Sequence, residues 1–125
     1  MKFTLISIFS SILLCLILHG CENKVYNNKA KYEINVNETV EIYYTTNSCC
    51  YYCVSNEKEL MHIKLIERKL IEAEPNDCIG CNHTSAFIFI GQSKGIDTIE
   101  VKGLGVTMNC DSNNVPPEKY IIEIK

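Results

Sequence analysis

The sequence predicts an all-β protein, an antiparallel sandwich of about seven short strands. Apolar and polar residues alternate with a period of two in several segments, which buries one face of each. Turn-forming residues separate these segments about every ten positions. Eight cysteines in 125 residues add a third signal, a fold braced by disulfides. A chain of 125 residues suits one domain, and 46% hydrophobic against 22% charged residues is the balance of a packed protein. The formal charge of −3 and a pI near 5.6 exclude the basic field that holds nucleic acid.

Lys2 is the only charged residue before Glu22, and residues 3–18 between them are mostly apolar. A membrane-spanning helix needs roughly 20 such residues, so this run has the length of a secretory signal. Leu18, Gly20 and Cys21 resemble the lipobox of bacterial lipoproteins, in which the cysteine becomes the lipidated first residue, although His19 stands where a small residue is usual. The expectation is a signal peptide over 1–20, lipidation at Cys21, a tether over 21–30 and a β domain over 31–125. The protein is expected to be exported and anchored in the membrane facing the periplasm or cell exterior. Ordinary signal-peptidase cleavage would instead leave it secreted.

Tyr32, Ile34 and Val36 alternate with Lys31, Glu33 and Asn35, and Val40, Ile42 and Tyr44 repeat the pattern. Residues 60–74 are compatible with a helix through Ile63, Ile66 and Leu70. They also fit two short strands, Met61 to Leu65 and Leu70 to Glu72, with a break at Glu67–Arg68; the surrounding β pattern favours strands. The run 86–90, the turn residues Ser93, Lys94 and Gly95, and the run 96–101 read as a hairpin. A last strand over 119–124 follows Pro116 and Pro117, which a central strand excludes.

Six cysteines remain beyond Cys15 and Cys21, namely Cys49, Cys50, Cys53, Cys78, Cys81 and Cys110. All six fall between strands or at strand ends on this reading. An even number in an oxidising compartment favours three disulfides, and spacing alone does not choose among the pairings. Alternate connections of a sandwich emerge at one end, so the bridges are expected to staple three loops together at one pole. A different use is open to Cys50-Tyr51-Tyr52-Cys53 and Cys78-Ile79-Gly80-Cys81, whose two C-x-x-C units have zinc-ligand spacing. Export favours oxidation over metal, so no cofactor is expected.

With this strand order, residues 31–125 resemble the chagasin-type inhibitors of papain-like cysteine peptidases. Asn37-Glu38-Thr39-Val40-Glu41-Ile42 precedes Asn47 at the family's distance from its first contact loop, here Asn47-Ser48-Cys49-Cys50-Tyr51. The second loop is matched by Gly80-Cys81-Asn82-His83-Thr84 before the aromatic run at Phe87, with Asn82 tolerant of positive φ where the family has glycine. Gly95 to Val101 resembles the strand leading to the third loop, whose place is taken by Gly105-Val106-Thr107. The resemblance implies an immunoglobulin-like antiparallel β-sandwich whose three loops plug a peptidase cleft without covalent chemistry. It assigns peptidase contact to Asn47, Ser48, Tyr51, Gly80, Asn82, His83, Thr84, Gly105, Val106 and Thr107. A papain-like peptidase is then the expected partner, and bridges among the loops would stiffen the wedge.

No nucleophile, acid and base occur at motif spacing, so the sequence does not predict an enzyme. His62 and His83 stand alone. Tyr43, Tyr44, Tyr51 and Tyr52 read as packing or as an aromatic patch, and Asn37-Glu38-Thr39 and Asn82-His83-Thr84 are glycan acceptor sequons. The other functions compatible with these features are a surface binding module of the same fold without inhibitory activity, or a zinc-binding C-x-x-C protein.

Overall fold

The computed structural model describes residues 28–125, so the signal read at 1–20, the lipidation site at Cys21 and residues 21–27 of the tether lie outside the described residues. Residues 28–30 belong to the folded body rather than to a tether. Asn28 donates from Nδ2 to the Tyr43 carbonyl (2.7 Å) and accepts the Tyr43 amide at Oδ1 (2.9 Å), while the Ala30 carbonyl accepts the Ile121 amide.

The strands are β1 (Lys31–Ile34), β2 (Thr39–Thr46), β3 (Cys50–Val54), β4 (Ile63–Glu72), β5 (His83–Gly91), β6 (Gly95–Gly105) and β7 (Glu118–Ile124). They form a four-stranded sheet, β1-β7-β6-β3, and a three-stranded sheet, β2-β5-β4. This is the layered order of an immunoglobulin-like sandwich. One pairing departs from the antiparallel expectation: β1 runs parallel to β7, because a tight turn sends the chain from the edge of one sheet straight into the other. Asn37 takes a left-handed φ of 70° in that turn, and the Glu38 carboxylate accepts the Asn35 amide at 2.8 Å.

Three further sequence readings change. The expected hairpin over 86–101 does not form, since β5 lies between β2 and β4 while β6 lies between β7 and β3. Both strands are apolar enough to be central, and each takes the centre of its own sheet. Cys50 to Val54, read as a connection because of its cysteines, is strand β3 paired with β6. The two short strands expected in 60–74 are one, β4, whose register against β5 shifts at Ile66 and again at Ile71. A β-bulge admits an extra residue without ending the strand.

Between the sheets, Val40, Ile42, Phe87 and Phe89 face Val54, Ile99, Val101, Ile122 and Ile124. Tyr44 links the layers, stacking on Phe87 (4.6 Å between centroids) and on Tyr52 (4.9 Å). The Arg68 guanidinium lies over the Phe87 ring, 5.5 Å from its centroid. At the end of the sandwich near Gly91 and Gly95, the buried Asp97 carboxylate on β6 accepts the amides of Met61, His62 and Ile63 at 3.0, 2.6 and 3.0 Å. That single side chain ties the start of β4 to the opposite sheet. A β-carbon at Gly95 would lie 2.5 Å from the His62 ring, which explains the glycine there.

Candidate functional site

The opposite end carries three connections: residues 47–49 after β2, 73–82 after β4 and 106–117 after β6. The first is a tight turn. The Cys50 amide reaches the Asn47 carbonyl at 3.3 Å, and Asn47 Oδ1 accepts the Cys49 amide at 3.0 Å, which is how a short polar side chain stabilises a turn.

That turn touches both other connections. Asn47 Nδ2 donates to Asn82 Oδ1 at 2.9 Å, and the Ser48 amide reaches the Gly80 carbonyl at 3.4 Å. Gly80 sits at φ +80°, and a β-carbon there would lie 2.9 Å from Ser48 Oγ, so glycine permits both the backbone path and the approach. On the other side, the Val106 amide donates to the Cys49 carbonyl at 3.3 Å. The three segments singled out in the sequence are therefore contiguous.

The third connection folds back over the outer face of β3 and β6. Cys53 is bonded to Cys110, the Tyr51 hydroxyl donates to the Met108 carbonyl, and the buried Lys102 ammonium donates to the carbonyls of Cys110 (3.1 Å) and Ser112 (2.9 Å). Lys102 thus satisfies its charge with backbone dipoles under the loop. The second connection is clipped by Cys78–Cys81 and by the Gly80 amide donating to Glu74 Oε2 at 2.9 Å.

The bridges differ from the expected pattern. Cys53–Cys110 joins the first cysteine group to the third, but Cys78–Cys81 is local, and hydrogen bonds rather than a bridge hold the second segment to the first. Cys50 is disulfide-bonded as well. Cys49, expected in a bridge, is an exposed free thiol beside the buried Cys50, its sulfur 3.2 Å from that of Cys50 and 2.8 Å from Asn47 Oδ1. Since Cys53 and Cys78 are bonded to Cys110 and Cys81 respectively, the two C-x-x-C units do not converge as one ligand set.

The ten expected contact residues divide. Asn47, Ser48, Gly80, Asn82, Val106 and Thr107 lie in the contiguous turns, with Gly105 at the end of β6 leading into them. Tyr51 is half-buried and anchors the third loop. Thr84 is buried in β5, and His83 pairs with Thr46 beside the turns. Asn82 does not use positive φ; among the described non-glycine residues Asn37 does. Sequence reasoning passed over Ile79, which is 99% exposed at the tip of the clipped loop. Its signal was an apolar side chain enclosed between two bonded cysteines, which leaves no path to a core. Val106, 65% exposed, is the matching apolar tip on the third loop.

The aromatic row beneath the turns is packing. Burial raises the hydroxyl pKa of Tyr44 and Tyr52, and burial followed by the hydrogen bond to Glu118 raises that of Tyr120. No family profile, characterised protein or solved structure matches the chain.

Proposed function

We propose that this chain is an exported protein that binds a papain-like cysteine peptidase and occludes its active-site cleft with the three contiguous turns. One observation carries the reading: hydrogen bonds from Asn47, Ser48 and Val106 fuse the segments 47–49, 80–82 and 105–107 into one ridge. These are the three segments on which the sequence resembles chagasin-type inhibitors. The ridge is braced from behind by Cys53–Cys110 and Cys78–Cys81, so little freedom remains to be lost on binding. Ile79 and Val106 give it apolar tips suited to a concave, partly apolar cleft. The disulfides agree with export to an oxidising compartment, where a lipid anchor at Cys21 would hold the domain at the membrane.

Titration of papain with the purified protein tests this. Reversible inhibition is expected, weakened more than tenfold by Ile79→Asp or Val106→Asp with the melting temperature unchanged. Absence of inhibition at micromolar concentration overturns the peptidase reading and leaves a binding module of the same fold with another partner.

A further inference from the structure

β4 is the outer strand of the β2-β5-β4 sheet, with one backbone edge unpaired among the described residues. It is ten residues long, and Ile66 (51%), Leu70 (58%) and Ile71 (41%) are exposed along it. A long edge with exposed aliphatic side chains is a template for another strand. Its sequence is nearly mirror-symmetric about Arg68. Reading outward from Arg68, Glu67 faces Lys69, Ile66 faces Leu70, Leu65 faces Ile71 and Lys64 faces Glu72. Apolar meets apolar and each charge meets its opposite.

The register decides whether these positions share a face. Lys64, Glu67, Lys69 and Glu72 pair with Ile90, Ile88, Ala86 and Thr84, alternate residues of β5, so all four charges lie on the outer face of the sheet. Leu65, Arg68 and Leu70 pair with Phe89, Phe87 and Ser85 on the inner face. The two bulges, at Ile66 and Ile71, keep these four charges on one side, with Leu65, Arg68 and Leu70 on the other. Arg68, the residue that would oppose itself, is directed over Phe87 and ion-paired with Glu57 at 3.7 Å.

We propose that β4 pairs antiparallel with β4 of a second copy of this chain, about a two-fold axis at Arg68. Lys64 then lies opposite Glu72 and Glu67 opposite Lys69 of the other copy. A two-fold pairing is closed, so it covers the exposed edge in a dimer and does not propagate. It sets the two ridges at opposite ends of one six-stranded sheet, each free to bind.

Sedimentation equilibrium of the full chain tests the pairing, with far-UV circular dichroism as the check on folding. The wild-type protein is expected to show a concentration-dependent monomer–dimer equilibrium. Glu67→Lys alone and Lys69→Glu alone each place like charges opposite one another twice per dimer and should weaken association about tenfold. Mixing those two variants restores complementary pairs and should recover a heterodimer, and the double variant Glu67→Lys/Lys69→Glu should self-associate like the wild type. Both positions are exposed, so the fold should tolerate either change. A wild-type protein that stays monomeric to millimolar concentration, association indifferent to both single variants, or a mixture no tighter than its components would overturn the proposal.

Discussion

The two ends of the sandwich are held by different means. At the end near Asp97, side chains close the backbone directly. Asp97 takes three amides, Asn56 bridges the Thr98 carbonyl and the Glu100 amide, and Glu38 caps the β1–β2 turn. Met61 and Ile96 are nonetheless exposed there. At the other end, covalent bridges and single contacts between turns set the path of the chain, while Ile79 and Val106 are left pointing into solvent. Side chains contribute here as well, Asn47 on Asn82, Tyr51 on the Met108 carbonyl and Lys102 on the carbonyls of Cys110 and Ser112, but the two disulfides are added to them. The covalent bracing of the ridge is the difference on which its proposed binding role rests.

The sharpest way to break this comparison is to remove the sulfur. Replacing Cys53 and Cys110 together by serine opens a bridge of sequence separation 57 and should lower unfolding stability by about 4 kcal/mol. Removing Cys78 and Cys81, only 3 apart, should lower it by about 2 kcal/mol or less while loosening the Ile79 tip. Denaturant titration checks both, and equal losses would contradict the assigned division of labour.

At the far end, Asp97→Ala leaves three amides without their acceptor and should lower stability by about 3 kcal/mol, measured by thermal unfolding. Its binding ridge should be untouched, so any inhibition should persist at temperatures where the variant is folded.

The smallest effect is one of pH. The hydroxyls of Tyr44, Tyr52 and Tyr120 have raised pKa values in the native state, chiefly through burial. The unfolded chain therefore gives up these protons first. Their contribution is intact below about pH 10 and is lost as pH rises from there through the native values. Denaturant midpoints taken between pH 9 and 12 should fall accordingly, and a flat profile would mean these rings are in contact with water.

Much of this was legible in the residues. Alternation at Val40, Ile42 and Tyr44, the run Phe87–Ile90 and the strand after Pro116–Pro117 all lie where their patterns place them, because a period of two is a local property that half-burial imposes. The clustering of Asn47, Gly80 and Val106 was also inferable, since sandwich connections alternate between ends. Cys50 to Val54 misled because its cysteines masked strong strand formers, Tyr51, Tyr52 and Val54.

By itself, then, the sequence determined the class of fold, the positions of most strands and which connections meet. Only the tertiary structure decided which sheet each strand joins, which sulfurs pair and which side chains reach solvent. Those outcomes depend on distances between residues far apart in the chain, to which no local pattern is sensitive. Asp97 shows it best: nothing around it in the chain announces that its carboxylate will hold three successive amides where the chain enters a strand of the opposite sheet.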